Sequence, residues 1–306
     1  MFQDLYELMG MMALLMISGF FLRKKNIITN EGKKCLTDLI LYVILPCNII
    51  KAFTAEFQPD FLMQFLQVFL AAASVQVISL IISNFCYNHV RDGEKQVYQY
   101  GTVCSNSGFM GNPLAEGIFG NTGLLFASIF LIPMRIIMWT AGVSYFQKGA
   151  DRKEAYKKVL KHPCMLATYF GMMIMLFQWK LPGIVDMTVR SFSSCCTSLT
   201  MMYIGTNLVD VKWKTLITKN QLFFSFIRLI GIPFLVCSLG TLCKLNPLVV
   251  GVCTILSATP AGSTTSLLAS KYGADESSAA KCVVFTTALS TLTIPVWSVL
   301  LLKMMQ

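Results

Sequence analysis

Apolar runs of about 20 residues recur along the whole of this 306-residue sequence. A helix of that length spans about 30 Å, which matches the hydrocarbon core of a bilayer. The chain is 55% hydrophobic and only 13% charged, more apolar than a soluble core requires. The sequence therefore predicts an all-α integral membrane protein with ten transmembrane helices, at residues 5–22, 36–53, 61–86, 98–119, 122–146, 163–179, 190–209, 222–243, 247–272 and 278–302.

Basic residues concentrate in the loops on one side of this predicted topology. The loops that follow the odd-numbered helices carry 18 of the 25 Lys and Arg residues. Because Lys and Arg near helix ends are retained in the cytoplasm, we expect a multi-pass protein of the cytoplasmic membrane with both termini outside. The same topology and contact with anionic lipid headgroups account for the net charge of +10, so no nucleic-acid partner is expected.

A basic linker, residues 148–162, divides the predicted helices into two sets of five. Because five is odd, the second set enters the membrane from the opposite side, as in the inverted repeats of many secondary transporters. We expect a first repeat at 1–147 and a second at 163–306. Helices four and nine carry similar interruptions, "GFMGNPL" and "SATPAGST", and helices five and ten both have Ile-Pro late in the run.

Pro113 and Pro260 are predicted to break helices four and nine at membrane depth. Proline removes a backbone donor and clashes with the preceding turn, and the freed polar groups must line a cavity or be buried in protein. Two crossing breaks would form a central polar site; alternatively, each proline is a simple packed kink. The candidate substrate-binding residues are Asn106, Ser107, Asn112, Pro113, Glu116, Arg135, Thr259, Pro260, Ser263 and Thr264.

Two arginines lie within the predicted helices. A charge near the midplane costs several kcal/mol unless it faces the protein interior and finds a partner, so Arg135 requires an anion. That anion is either the Glu116 carboxylate or a carboxylate of the substrate. Arg228 lies nearer the inner end of helix eight, and we expect its side chain to snorkel towards the interface.

Several stretches resemble the auxin efflux carrier family, which contains plant auxin exporters and bacterial malate and malonate carriers. The similarity extends over essentially the whole chain and is most specific over residues 258–301. The other matching stretches are "SGFFLRKKNIIT", "LTDLILYVILPCNII", "SNSGFMGNPLAEGIFG" and "KHPCML". Three features depart from the family pattern: the polar Asn112, the charged Arg135, and the lack of a proline in helix seven.

The resemblance implies ten helices in two inverted five-helix repeats, with helices four and nine crossing at Pro113 and Pro260. It also implies that helices one, two, six and seven form a scaffold and a homodimer interface. The remaining helices would slide against this scaffold as an elevator.

We therefore expect a secondary active or facilitative transporter of a small organic acid, with a membrane-embedded sensor of the same fold as the alternative. H⁺ or Na⁺ coupling and transport driven by membrane potential alone remain open, and no cofactor is expected. An enzyme is not expected either, because the sequence lacks H-E-x-x-H, G-x-S-x-G and the Walker phosphate loop. The 11 Cys include no C-x-x-C pair, so no metal site is predicted.

Overall fold

The computed structural model describes residues 2–54, 60–146, 160–209 and 217–304. Within these ranges the secondary structure is helical apart from one isolated β-bridge. The first half contains α1 (Phe2–Lys24), α2 (Asn30–Leu39), α3 (Leu45–Phe53), α4 (Asp60–Cys86), α5 (Glu94–Val103), α6 (Asn112–Ile137) and α7 (Val143–Phe146). The second contains α8 (Pro163–Phe177), α9 (Gly183–Ser194), α10 (Cys196–Asn207), α11 (Lys219–Phe226), α12 (Ile232–Leu242), α13 (Pro247–Ser257), α14 (Thr264–Tyr272) and α15 (Glu276–Met304).

Six helical stretches of the described chain are long and apolar enough to cross a membrane. They are Tyr6–Lys24, Asn30–Phe53, Leu62–Cys86, Ser107–Phe146, Lys219–Leu242 and Glu276–Met304. The helices Pro163–Phe177 and Pro247–Ser257 are apolar but shorter. The all-helical membrane class is confirmed, whereas the ten crossings and the inverted repeats remain predictions. Most of the predicted linker, residues 148–159, lies outside the described residues.

Several of these helices continue past a proline without a break. Pro46, Pro113 and Pro233 each follow a π turn, at Ile40–Ile44, Ser107–Gly111 and Ile227–Gly231 respectively. The residue before each proline bonds to a carbonyl five residues back, as in Asn112 N–H to Ser107 O. This wider turn accommodates the proline's missing donor and its ring. The prediction that Pro113 breaks helix four is therefore wrong.

The helical segment that contains Pro113 instead ends at Gly120. Its φ of 68° and ψ of −160° are non-helical, and a positive φ is readily adopted only by glycine. This residue separates the stretches predicted as helices four and five.

The backbones of α1 and α10 pack directly against each other. An ideal Cβ built on Gly19 would lie 2.0 Å from the Met202 carbonyl oxygen, and one built on Gly205 would lie 2.0 Å from the Met16 carbonyl oxygen. Glycine at both positions therefore lets the two backbones touch, as small residues do between membrane helices.

Candidate functional site

Two interruptions of the helical backbone meet inside the protein. One is Cys104–Asn106, which follows α5, and the other is residues 258–263, between α13 and α14. The Asn106 N–H donates to the Pro260 carbonyl at 2.8 Å, and the Gly262 N–H donates to the Cys104 carbonyl at 2.9 Å. Backbone groups that lipid could not satisfy thus satisfy one another.

Of the two predicted breaks that cross, only the first lies at a different position in the structure. Pro260 lies in its break as expected, but the partner is Cys104–Asn106, upstream of Pro113. Ser and Asn favour local side-chain bonds over helix, and the sequence Ser-Asn-Ser at residues 105–107 was the available signal.

The buried side chains of Ser107 and Thr259 form hydrogen bonds beside the crossing. Both hydroxyls donate to the Leu256 carbonyl, at 2.9 Å and 2.7 Å respectively, and they lie 3.1 Å from each other. Both residues are fully buried. This carbonyl lies in the last turn of α13, where it also accepts from the Thr259 N–H at 3.4 Å, so the contacts of both hydroxyls are structural.

A cleft of about 80 Å³ lies beside the crossing. By the same measure a water molecule needs roughly 10–15 Å³, so the cleft has room for a small ligand group. Its polar lining comes from Ser105, Asn106, Arg135, His162, Ser263 and Thr264, and its apolar lining includes Leu41, Leu45, Phe109, Leu131, Met134 and Met138. Four predicted residues, Asn106, Arg135, Ser263 and Thr264, therefore meet there. The cleft lining does not include Ser107, Asn112, Pro113, Glu116, Thr259 or Pro260.

Arg135 is the charged group of this cleft. The residue is only 4% exposed, and its Nη1 contacts the Met165 sulfur at 3.7 Å. In the described parts of the chain, no carboxylate lies within ion-pair distance of its guanidinium. A thioether is a weak acceptor, so the cation is buried without a counter-charge.

Among the cleft hydroxyls, that of Ser105 bonds to Ser107, whereas those of Ser263 and Thr264 lack a good acceptor. Ser105 Oγ contacts Met134 Sδ at 3.4 Å as well as Ser107 Oγ, and Thr264 Oγ1 lies 4.0 Å from Met138 Sδ. The buried Ser263 hydroxyl has no partner within the described residues. Thr264 Oγ1 accepts from the Tyr100 hydroxyl at 3.1 Å, which leaves its own proton available. The cleft therefore offers donors to an oxygen-bearing anion, a stronger acceptor than sulfur.

His162 was not predicted to belong to this site. It caps α8, where its Nδ1 accepts from the Cys164 N–H at 3.3 Å. An accepting Nδ1 is unprotonated, so the ring is neutral and retains Nε2–H as a donor. The only signal in the sequence was a histidine placed directly before a helix-starting proline.

Glu116 has a different partner from the one considered in the sequence. Its Oε1 pairs with Lys51 Nζ at 2.7 Å, and its Oε2 accepts from Asn48 Nδ2 at 3.0 Å. The alternative in which Arg135 pairs with Glu116 is therefore wrong. The carboxylate is held by α3, which the sequence alone did not place beside it.

Contrary to the prediction, the Arg228 side chain does not snorkel towards the interface. It is 2% exposed, within the π turn that follows α11, and its Nε has no hydrogen-bond partner among the described residues. Phe224, one turn earlier, packs against Gly101 of α5.

Asn112 provides a test of which predicted residues touch substrate. It is fully buried, and neither amide atom has a partner in the described structure. Asn112→Leu keeps the shape and removes an unpaired amide, so we expect the free energy of unfolding to rise by about 1–3 kcal/mol. Uptake should be unchanged because Asn112 does not line the cleft.

The matched control is Asn48→Leu, at the other fully buried asparagine. The Asn48 amide bonds to both Glu116 and Ser193, so this substitution should lower thermal stability in detergent. Lost uptake in a stable Asn112→Leu protein would instead place Asn112 on the substrate path.

Comparison with known families gives the family of this chain. The sequence model of the membrane transport protein family matches residues 5–158 and 152–298. The chain belongs to this family. The resemblance to auxin efflux carriers is thereby confirmed, and the protein is a multi-pass membrane transporter by family.

Three relatives match nearly the full chain. A protein of Methanocaldococcus jannaschii named an uncharacterized transporter is 24% identical over 300 residues, which covers 95% of this chain and 96% of the relative. One from Methanothermobacter thermautotrophicus is 22% identical, covering 94% and 95%. The uncharacterized transporter YfdV of Escherichia coli K12 is 20% identical, covering 92% and 93%. These names identify the relatives as transporters and specify no substrate.

Proposed function

We propose that this protein is a secondary active or facilitative transporter of a small organic anion, which binds through a carboxylate in the cleft beside the helix crossing. The observation that carries this proposal is Arg135, a buried cation in the cleft that lacks a carboxylate partner in the described residues. Burying an unpaired charge costs several kcal/mol, and a substrate carboxylate would offset that cost.

The helix ends around the cleft favour the same ligand. The helical segment after the first break starts at Ser107, and α14 starts at Thr264. The first N–H groups of a helix lack partners within that helix and carry partial positive charge. Two such N-termini beside Arg135 would add backbone donors for a carboxylate.

The position of the cleft supports alternating access by an elevator. Its walls include Leu41 and Leu45 from the second predicted helix and His162 and Cys164 from the start of the sixth. Those helices would belong to the scaffold, whereas the two breaks and Arg135 would belong to the moving part. The cleft thus lies at the boundary where sliding would expose it to either side in turn, and the scaffold would carry the homodimer interface. Under the predicted orientation it lies on the cytoplasmic side of the crossing.

Uptake into proteoliposomes tests the proposal. We expect labelled mono- or dicarboxylates to accumulate, whereas a cationic amine and a neutral sugar of similar size should not. Varying pH, sodium and voltage independently would identify the coupling ion, and protein-free liposomes measure leakage. A panel in which no acid moves under any gradient contradicts transport, and binding of an acid without uptake would favour the sensor.

A further inference from the structure

Four polar side chains from three helices form a second cluster, away from the cleft. They are Asn48 and Lys51 of α3, Glu116 of α6 and Ser193 of α9, and we name them the outer latch. Asn48 Nδ2 lies 3.0 Å from both Glu116 Oε2 and Ser193 Oγ, and Lys51 Nζ lies 2.7 Å from Glu116 Oε1. One amide and one ion pair therefore tie these helices together.

The outer latch lies towards the opposite end of the helices from the cleft. Lys51 is close to the end of α3 at Phe53, whereas the cleft touches the earlier residues Leu41 and Leu45. Glu116 follows the crossing and precedes the break at Gly120. In the predicted orientation this end faces outside, so the cleft and the outer latch lie on opposite sides of the crossing.

The outer latch is suited to opening. The Lys51 and Glu116 side chains are 29% and 24% exposed, so water can solvate both ions when they part. Four residues after Glu116, Gly120 has a positive φ, and no heavy atom lies within 4 Å of a Cβ built there. The neighbouring Asn121 donates to the Ala52 carbonyl at 3.0 Å, which makes a third bond between α6 and α3.

We propose that the outer latch is the outer gate of the transport path, and that Glu116 positions α6 against α3 and α9 when the path is closed to the outside. This inference rests on the proposed function. The latch joins α6, which would move with the substrate, to α3 and α9, which would belong to the scaffold. A full transport cycle then requires the Lys51–Glu116 pair to separate.

The accessibility of the Cys196 thiol reports whether this gate is open, and its measurement needs no substrate. Cys196 is 1% exposed and follows Ser193 of the outer latch by three residues. In right-side-out vesicles carrying Cys195→Ser and Cys243→Ser, which remove the two exposed cysteines of the predicted outer side, we expect Glu116→Gln and Lys51→Met to speed Cys196 labelling by a membrane-impermeant maleimide about tenfold. That factor corresponds to about 1.4 kcal/mol in the opening equilibrium.

Two further variants separate gating from damage. Lys51→Glu combined with Glu116→Lys should restore slow labelling, because the pair reforms with opposite polarity. Arg190→Gln breaks the exposed Asp186–Arg190 pair, 2.8 Å long, and should not alter labelling. Unchanged labelling in the single variants, labelling only from inside, or no rescue by the swap would each overturn the gate. If labelling responds but no acid is transported, the proposed function fails and the gate stands.

Discussion

Replacing Arg135 with glutamine should reduce carboxylate uptake at least about 100-fold while leaving the protein folded, since a charge pair in a dry site contributes about 3 kcal/mol or more. Glutamine supplies a neutral donor in place of the only cation among the described residues that line the cleft. It also removes a buried charge whose close acceptor in the described structure is the Met165 sulfur. We therefore expect the melting temperature to stay constant or rise while uptake falls.

Initial uptake rates and thermal stability in detergent, measured on the same preparations, check this expectation. Arg135→Lys should be intermediate, because it keeps the charge but loses the planar fork that grips two carboxylate oxygens. The matched control is Arg228→Gln, at the other buried arginine of the described residues. Arg228 does not line the cleft, so its loss should leave the KM for uptake nearly unchanged. Normal uptake by Arg135→Gln would remove Arg135 from the site.

The sequence predicted features that depend on composition over many residues. Every apolar run contains observed helix, because burial in lipid leaves few alternatives for a backbone of this length, although breaks at residues 104–106 and 258–263 interrupt two of the runs. Arg135 could be singled out because a charge at membrane depth is costly wherever it lies. The family, and with it the transporter class, followed from motifs spread along the chain.

Features that depend on long-range contact or local backbone adjustment were not predictable. A proline pattern alone could not distinguish Pro260, which lies in a true break, from Pro113, which a π turn accommodates. The Lys51–Glu116 pair joins residues 65 apart in sequence, so nothing local pointed to it. His162 reaches the cleft only because α8 begins beside it.

Adding one methyl group at Gly19 should destabilise the protein strongly. The new Cβ would lie 2.0 Å from the Met202 carbonyl oxygen, and a backbone oxygen cannot rotate away as a side chain can. Since α1 and α10 would have to separate along their contact, we expect Gly19→Ala to cost about 3 kcal/mol and to lower the melting temperature by about 5–10 °C. Gly205→Ala should behave alike, because its Cβ would meet the Met16 carbonyl at the same distance.

Gly10 of the same helix provides the matched control for this prediction. Nothing lies within 4 Å of a Cβ built there, so Gly10→Ala should stabilise the protein slightly, by about 0.5–1 kcal/mol from helix propensity. Once either glycine has forced the helices apart, the second substitution meets a wider gap, so the double variant should cost less than the sum of the two. Thermal melts of the four variants and of the unsubstituted protein in one detergent test this prediction. Equal melting temperatures for Gly10→Ala and Gly19→Ala would mean that the α1–α10 backbones do not touch.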